Sequence, residues 1–264
     1  MKLFASTIIL GSSLFAACTA SPGSPTTVLG TDELGGESND GEAPKADGVD
    51  TFGIMTAQKV GAFECNGAGS CTHVTLARAG RSTAKCADAN MHASCDVRTL
   101  DFSKLHLSAT KLEAVTGKLQ ASAATPEIGP QLLVRGTYLH GKNPVSPGID
   151  WVTFQVSELW VAQLDAGTLD GTFVMVRDRG IRCITAPCPT FAEARINSTR
   201  TANIEGLDWS DEQLADDTTA AIADKVYEAE TQPDGVVVNG FRTHSASGPV
   251  STFRSVEQVF LRIK

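Results

Sequence analysis

Runs of aliphatic, aromatic and β-branched residues alternate with short polar connections along residues 51–264, and this pattern predicts a fold rich in strands. Two short runs, 172–176 and 191–196, have clear strand composition. Longer strands are predicted at 131–139, 151–161, 236–242 and 253–263. Because the connections are short, we expect the sheet to be largely antiparallel.

Apolar residues at helical spacing predict one helix in each half of the chain. In the second half, Ser210 is the expected N-cap and Gln213 completes a capping box. Trp209 and Leu214 occupy the hydrophobic staple positions on either side of it. The other members of the two helical patterns are Thr218, Ala221 and Val226 in the second half, and Leu107, Ser108, Leu112, Val115 and Leu119 in the first.

Four blocks of sequence occur twice in the same order, at an offset of roughly 110 residues, which indicates an internal duplication. The paired blocks are 64–78 with 182–195, 100–103 with 207–210, 132–136 with 236–240, and 156–161 with 256–261. We therefore predict two homologous ββαββ modules, module one at 51–165 and module two at 168–264. The expected fold class is α+β, with a mostly antiparallel sheet and one helix in each module.

The N-terminal segment has the pattern of a bacterial secretion signal. Lys2 is followed by an apolar stretch too short to span a membrane, so residues 1–17 are predicted to be a signal peptide. The segment that ends in Ala16, Ala17 and Cys18 resembles a lipoprotein box, in which the cysteine becomes the lipidated mature N-terminus. Because Thr19 follows this cysteine, we expect the lipoprotein to be sorted to the outer membrane. We therefore expect an outer-membrane lipoprotein of the cell envelope, facing the periplasm or the cell surface.

Residues 18–50 are expected to form a disordered acidic tether, because they are rich in Ser, Pro, Gly and Thr and contain no aromatic residue. Seven carboxylates against Lys45 give this segment a net charge of −6, out of −8 for the whole chain. An acidic chain has no basic surface to neutralise phosphates, so no nucleic-acid partner is expected. The expected partners are the membrane, through the lipid, and an unidentified protein.

The duplication selects among the ways in which six of the seven cysteines can pair. Cys65 and Cys71 correspond to Cys183 and Cys188, so each pair is expected to close within its own module. The insertion that is found only in module one contains the third expected pair, Cys86–Cys95. In an oxidising compartment these pairs are expected to be disulfides. The main alternative, a zinc site of Cys65, Cys71, Cys86 and Cys95, lacks the usual ligand spacing.

Several of these blocks resemble a family of secreted bacterial lipoprotein domains catalogued as of unknown function. The resemblance rests on 178–189, Asn197 and 207–210, together with 85–88 and 95–103 in the longer variant. It covers nearly all of 51–264 and implies a duplicated, disulfide-containing domain. It implies no catalytic residues.

No catalytic motif is found in the sequence, so no enzyme activity, cofactor or metal site is expected. Glu158 is expected to face outward rather than act as a base. His140 and His244 occupy equivalent positions, and the alternative to two solvated turns is a metal or anion site between them.

The function expected is a non-enzymatic binding or structural role in the envelope. One alternative is protease-inhibitor-like binding through the loop closed by Cys183 and Cys188, whose candidate contacts are Ile184, Thr185, Ala186 and Pro187. A second alternative is a hydrolase with a site between the modules, which predicts a cleft lined by carboxylates or histidines.

Overall fold

Strands form most of the folded chain in the computed structural model, which describes residues 27–28, 53–64, 70–124, 129–142, 150–167, 169–185, 187–214, 216–244 and 252–264. The strands in chain order are β1 (Thr27–Val28), β2 (Met55–Glu64), β3 (Ser70–Arg78), β4 (Ala84–Lys85), β5 (Met91–His92), β6 (Cys95–Val97), β7 (Thr99–Asp101), β8 (Leu132–Lys142), β9 (Asp150–Ala162), β10 (Thr172–Asp178), β11 (Phe191–Arg195), β12 (Thr201–Ile204), β13 (Gly206–Asp208), β14 (Val236–Gly240), β15 (Arg242–His244), β16 (Thr252–Ser255) and β17 (Gln258–Ile263). The helices are α1 (Ala109–Ala124), α2 (Asp211–Leu214) and α3 (Asp217–Glu230), with a short 3-10 helix at Ser103–Leu105.

One large curled sheet contains strands from both halves of the chain, in the order β12-β11-β10-β14-β17-β9-β8-β2-β3-β6. The neighbours along this path are antiparallel, and β7 adds a parallel pairing with β9. The two halves meet where β17 pairs with β9, which places Arg262 opposite Trp160. This junction forms the centre of the sheet.

The predicted α+β class of two ββαββ modules is wrong, because the fold is mainly β and is built on this one sheet. The physical reason lies at β9 and β17. A strand at the edge of a separate module would leave its backbone N–H and C=O groups unpaired on one side. Pairing β9 with β17 satisfies those groups and merges the strands into one sheet.

The predicted strands at 236–242 and 253–263 are each broken in two. Phe241 separates β14 from β15, and the backbone at 256–257 separates β16 from β17. The chains pack very closely at this break, since a Cβ on Gly240 would lie 1.8 Å from the Ser255 carbonyl oxygen. The outer halves leave the large sheet and form a second sheet, in the order β1-β15-β16-β13.

The helix signals identified the two helical regions, but only one helix starts where it was predicted. Ser108 caps α1, with its Oγ accepting from the Lys111 N–H at 3.3 Å. The capping box of Ser210 and Gln213 forms, yet it begins only the one-turn α2. The longer α3 starts anew at Asp216, whose carboxylate accepts from the Thr219 N–H at 2.8 Å.

Both long helices cover the same face of the large sheet. Val115 and Leu119 of α1 pack on one apolar cluster of this face, and Val226 of α3 packs on another. A third cluster on the opposite face includes Leu133 and Trp160 and contains no helix residue among those described. None of the described helices has the length and apolar character needed to cross a membrane.

Two buried arginines share one buried carboxylate beneath the second sheet. Arg254 and Glu193 are fully buried and form a double hydrogen bond, Nε to Oε2 at 2.9 Å and Nη2 to Oε1 at 3.0 Å. Arg242, 9% exposed, donates a further short hydrogen bond to Glu193. The three groups carry a net charge of +1 inside the protein, and the Glu193 carboxylate offsets charge on both cations.

The C-terminal end of α3 contains a buried carboxyl group. Glu230 is buried, and its Oε1 has no hydrogen-bond partner among the described residues. Burial, with a smaller contribution from the charge of Asp178, raises the pKa of Glu230 to about 8. An ordinary glutamate in the unfolded chain has a pKa of about 4.3. The folded state therefore favours the protonated carboxyl, and stability falls as the pH rises from that value through about 8.

We expect the neutral Glu230→Gln variant to be more stable than the native chain by about 4 kcal/mol at pH 8, and nearly equal to it at pH 4. Urea unfolding at both pH values measures the difference. Glu228→Gln, at an exposed position on the same helix, is the matched control and should change neither value. A gain that is the same at pH 4 and pH 8 would show that Glu230 does not titrate in this way.

Candidate functional site: an arginine-lined cleft

A cleft of about 340 Å³ lies on the face of the large sheet opposite the helices. Strands β8, β9, β10 and β17 form its floor, and the turn after β11 forms one wall. We call it the arginine cleft, after its charged lining residues Arg135, Arg177, Arg195, Arg262, Glu158 and Asp234. Four guanidinium groups against two carboxylates give the lining a net charge of +2, whereas the whole chain has −8.

Strand register puts the central side chains on one face. Arg135 lies opposite Glu158 across β8 and β9, and Arg262 lies opposite Trp160 across β17 and β9. Residues two apart on a strand point the same way, so Glu158 and Trp160 share this face. Arg177 also lies on this face, because it is two residues after Met175 on β10 and both residues line the cleft.

Glu158 bridges two of the arginines. Its Oε2 accepts from Arg135 Nη1 at 2.9 Å, and its Oε1 accepts from Arg262 Nη2 at 2.9 Å. Arg262 also donates to Asp234, which pairs with Lys264 as well. These contacts fix the position of both guanidinium groups before any ligand arrives.

Trp160 forms the apolar floor between these two arginines. The Arg135 and Arg262 guanidinium carbons lie 5.9 Å and 5.7 Å from its ring centroid, within the range of cation–π attraction. The indole is 2% exposed, and its N–H has no acceptor among the described residues. A buried N–H without an acceptor is uncommon, and here it borders a cleft that is open to ligand.

Arg177 and Arg195 differ from the two central arginines, because neither forms an ion pair with any residue that the structure describes. Arg177 is exposed. Arg195 is partly buried, with its Nε lacking a hydrogen-bond partner. Its charge also adds to the effect of burial in lowering the pKa of the neighbouring Arg81. Positive charge is therefore in excess along this side of the cleft.

Asn197 fixes the wall of the cleft to the first strand of the large sheet. Its Oδ1 accepts from the Ile54 N–H at 2.7 Å, and its Nδ2 donates to the carbonyls of Ile54 at 2.8 Å and Ala79 at 2.9 Å. The residue has a φ of +57°, in the left-handed region where asparagine is better tolerated than most residues. Gly53 must be small here, since its Cβ would lie 2.4 Å from the Asn197 Oδ1.

The charged groups of the lining differ in how they are held. A hydrogen bond from Lys264, together with the charge of Arg262, lowers the pKa of Asp234, so this carboxylate stays ionised and cannot donate a proton at neutral pH. Glu158 is occupied by two arginines. The alternative of a hydrolase with a cleft lined by carboxylates or histidines stays a prediction. Forked guanidinium donors suit a carboxylate or a phosphate.

A family model described as a domain of unknown function, DUF6748, matches residues 65–264. The chain belongs to the DUF6748 family. The matched region contains the whole arginine cleft except Ile54, which lines one end of it. No curated protein and no solved structure matches the chain.

Among the described residues of the DUF6748 region two disulfides occur, Cys86–Cys95 and Cys183–Cys188, and both pairs were expected from the sequence. The Cys86–Cys95 disulfide takes up two sulfurs of the alternative zinc site. The third expected pair, Cys65–Cys71, lies outside the described residues, as does the predicted lipidation site Cys18.

One group of potential metal ligands occurs in the described part of the DUF6748 chain, and the Cys86–Cys95 disulfide disables it. It consists of Cys86, Asp88 and His92. The Cys86 sulfur is in the disulfide and is not a thiolate. The other two side chains satisfy each other at 2.9 Å, and this hydrogen bond is the main cause that lowers the pKa of Asp88 to about 2.

The remaining residues singled out from the sequence lie away from the cleft, with one exception. His140 is exposed on β8 and His244 contacts Thr252 at 3.1 Å on the second sheet, and neither lines the cleft. In the loop, Ile184, Thr185 and Pro187 are exposed, while Ala186 is outside the described residues. Glu158 is the exception, since it lies at the centre of the cleft.

The cleft arginines were missed by sequence reasoning, although a signal was present. Arg262 lies between two aliphatic residues of its strand, and Arg135 and Glu158 each have one aliphatic neighbour. Charged residues on the same face as a buried tryptophan indicate a polar site on a sheet surface. The relation across β8, β9 and β17 requires the strand order, which the sequence does not contain.

Proposed function

We propose that this DUF6748 protein is a lipid-anchored envelope protein that binds an oxyanion-bearing ligand, without transforming it, in the arginine cleft. One observation carries the proposal. Four arginines and two carboxylates line a cleft of about 340 Å³, so an otherwise acidic protein has a locally cationic site. Concave sites with a few convergent polar groups are where small ligands bind.

The arrangement favours binding because the central arginines are held in place. Glu158 and Asp234 orient Arg135 and Arg262, and Trp160 supports both guanidinium groups. A site that is already ordered loses little conformational entropy when a ligand arrives. Arg177 and Arg195 then supply the charge that the resident carboxylates do not neutralise. A phosphate or carboxylate group of an envelope component is the class of ligand that fits.

The envelope location rests on the N-terminal sequence and is consistent with the disulfides. Two disulfides in a chain of ordinary size are typical of proteins that fold in an oxidising compartment. A lipid at Cys18 would keep the protein at the membrane, where phosphate and carboxylate groups are abundant. The test of this part is membrane fractionation of the native chain against Cys18→Ser. We expect the variant to be released, and retention of both would contradict the lipid anchor.

Substitution of Arg177 tests the binding site. Arg177→Gln removes a charge that no described residue pairs with, so folding should be unaffected. A lost charged hydrogen bond costs about 1.5–3 kcal/mol, so we expect affinity for the probe to fall about tenfold or more. The measurement is isothermal titration at low ionic strength, with inorganic pyrophosphate as the phosphate probe and citrate as the carboxylate probe.

The matched control for Arg177→Gln is Lys225→Gln, which removes one positive charge from an exposed position on α3. It should leave the affinity nearly unchanged, because α3 lies on the opposite face of the sheet. Equal loss in the two variants would reveal only a general charge effect. Failure of both probes to bind the native chain would contradict an oxyanion site.

The loop between Cys183 and Cys188 is the second candidate, and one observation favours it. The Ile184 side chain is fully exposed at the tip of a loop closed by a disulfide. At its base, Arg182 pairs with Asp178 at 2.7 Å and lowers the pKa of that carboxyl to about 2. A rigid, exposed loop of this kind suits protease-inhibitor-like binding. Inhibition assays against secreted serine proteases, with Ile184→Gly as the variant, test it; no inhibition by the native chain would exclude it.

A further inference from the structure

We infer that the tether docks on the folded body as strand β1 (Thr27–Val28) and thereby holds the body close to the lipid anchor. The docking site is the edge of β15, in the second sheet. The pairing is antiparallel, with Thr27 opposite His244 and Val28 opposite Thr243. The membrane part of this inference rests on the lipid proposed at Cys18, whereas the docking part does not.

The edge of β15 is suited to such a partner. Its other side is taken by β16, so without β1 the backbone groups of β15 facing outward would have no partner in the sheet. A free strand edge is a template for an extended segment, and main-chain hydrogen bonds give the added strand its affinity. The tether belongs to the same chain and is therefore always available to occupy the edge of β15.

The composition of the tether explains why this segment docks. Between Pro25 and Gly30 the sequence reads Thr-Thr-Val-Leu, three of which are favourable strand residues or β-branched. The rest of the tether is dominated by Gly, Ser, Pro and acidic residues, which disfavour strands. Residues 26–29 are therefore the tether segment with the strongest preference for a sheet edge.

Docking changes how far the body can move from the membrane. Only nine residues separate Cys18 from Thr27, which limits their separation to about 30 Å. Gly53, where the described part of the folded body begins, is 35 residues after Cys18, and a chain of that length can span up to about 120 Å. For flexible chains the corresponding mean distances are about 17 Å and about 33 Å. The pairing therefore halves the mean distance and makes the second sheet the side nearest the membrane.

Photo-crosslinking tests the docking on the full secreted chain. A photo-reactive amino acid at position 28 should crosslink to the peptide that contains Thr243, as found by mass spectrometry. The matched control has the same group at Ser38, also in the tether, and should give little of this product. The inference is overturned if position 28 gives no such crosslink, or no more of it than position 38.

Energy transfer tests the consequence for the lipidated chain in vesicles. The donor is a fluorescent amino acid at the exposed Tyr227, and acceptor lipids label the membrane. Replacing both Thr27 and Val28 by proline removes the backbone donor that faces β15, whichever residue supplies it. We expect transfer to fall by at least half in this variant and to stay unchanged in the control, Ser38→Pro with Asn39→Pro. Equal transfer in both would overturn the inference.

Failure of docking and failure of the lipid anchor give different results. A crosslinked chain that remains soluble like Cys18→Ser would disprove the anchor and the membrane distance, yet would keep the docked strand. A membrane-bound chain without the crosslink would disprove the docked strand alone. Oxyanion binding in the arginine cleft is measured separately and does not depend on either result.

Discussion

Replacing Glu193 by glutamine is expected to lower the free energy of unfolding by about 3–5 kcal/mol, the largest loss of stability expected for any single substitution in this protein. Glu193 and Arg254 are both fully buried, and Arg242 is nearly so. The carboxylate is bonded to both guanidinium groups. The neutral amide would remove this compensating charge from beside two buried cations, and a loss of this kind is typical of a broken buried ion pair.

Urea unfolding followed by circular dichroism measures the effect of Glu193→Gln. Glu113→Gln, which removes the same charge from the exposed surface of α1, is the matched control and should change stability by less than about 0.5 kcal/mol. If Glu193→Gln changes the free energy of unfolding as little as the control does, water must reach the two arginines. Glu193, Arg242 and Arg254 would then not be buried as they are in the structure.

Asn197→Ala is expected to lower the free energy of unfolding by about 3 kcal/mol or more. The substitution removes three hydrogen bonds to the backbone of Ile54 and Ala79, both of which are buried. The Ile54 N–H and the Ala79 carbonyl then lose this partner, at a cost of about 1–3 kcal/mol for each buried polar group, whereas the Ile54 carbonyl still accepts from the Ala79 N–H at 3.1 Å. Alanine also disfavours the left-handed φ of +57° at this position.

Asn197→Gly separates the two causes of this loss. Glycine adopts the left-handed conformation readily but makes no side-chain hydrogen bond, so it should recover about 1 kcal/mol relative to alanine and remain well below the native chain. Because Asn197 also lines the cleft, pyrophosphate affinity should fall in both variants. A glycine variant as stable as the native chain would show that the three hydrogen bonds contribute little.

The local elements could be predicted from the sequence wherever a single segment contained the whole signal. Strand β10 follows from its β-branched run, β11 falls within the strand predicted at 191–196, and Ser108 at the start of α1 follows from its capping role. The helix of the second half was misplaced because the capping box at Ser210 is satisfied by one turn of α2, after which Asp216 provides a second cap.

The fold class could not be predicted because it depends on contacts between distant segments. The joining of β9 to β17 is invisible in the composition of either strand, and it turns the two expected modules into one mainly β sheet. The break between β14 and β15 depends on the close approach of Gly240 to Ser255, which a run of valines does not show. From the sequence alone, Glu193 has the pattern of an exposed residue in a strand of alternating polar and apolar positions. In the structure, Arg242 and Arg254 of the second sheet cover it.

The arginine cleft could not be predicted from the sequence for the same reason. Arg135, Arg177 and Arg262 lie on three different strands and come together only through the strand order of the large sheet. By contrast, the resemblance that included Asn197 pointed to a residue on the cleft wall, although it gave no role for it. Its role follows from the three hydrogen bonds that it makes to the backbone.

The most direct test of the oxyanion site is to follow the three tryptophan indole N–H signals by two-dimensional NMR while pyrophosphate is added. Trp160 borders the cleft and its signal is assigned with Trp160→Phe, whereas Trp209 lies on the helix side and serves as the internal reference. We predict that the Trp160 signal shifts and saturates with the binding curve of the native chain, and that Arg177→Gln weakens this response about tenfold. A titration that leaves the Trp160 signal in place, or that moves the Trp209 signal instead, would contradict anion binding in the arginine cleft.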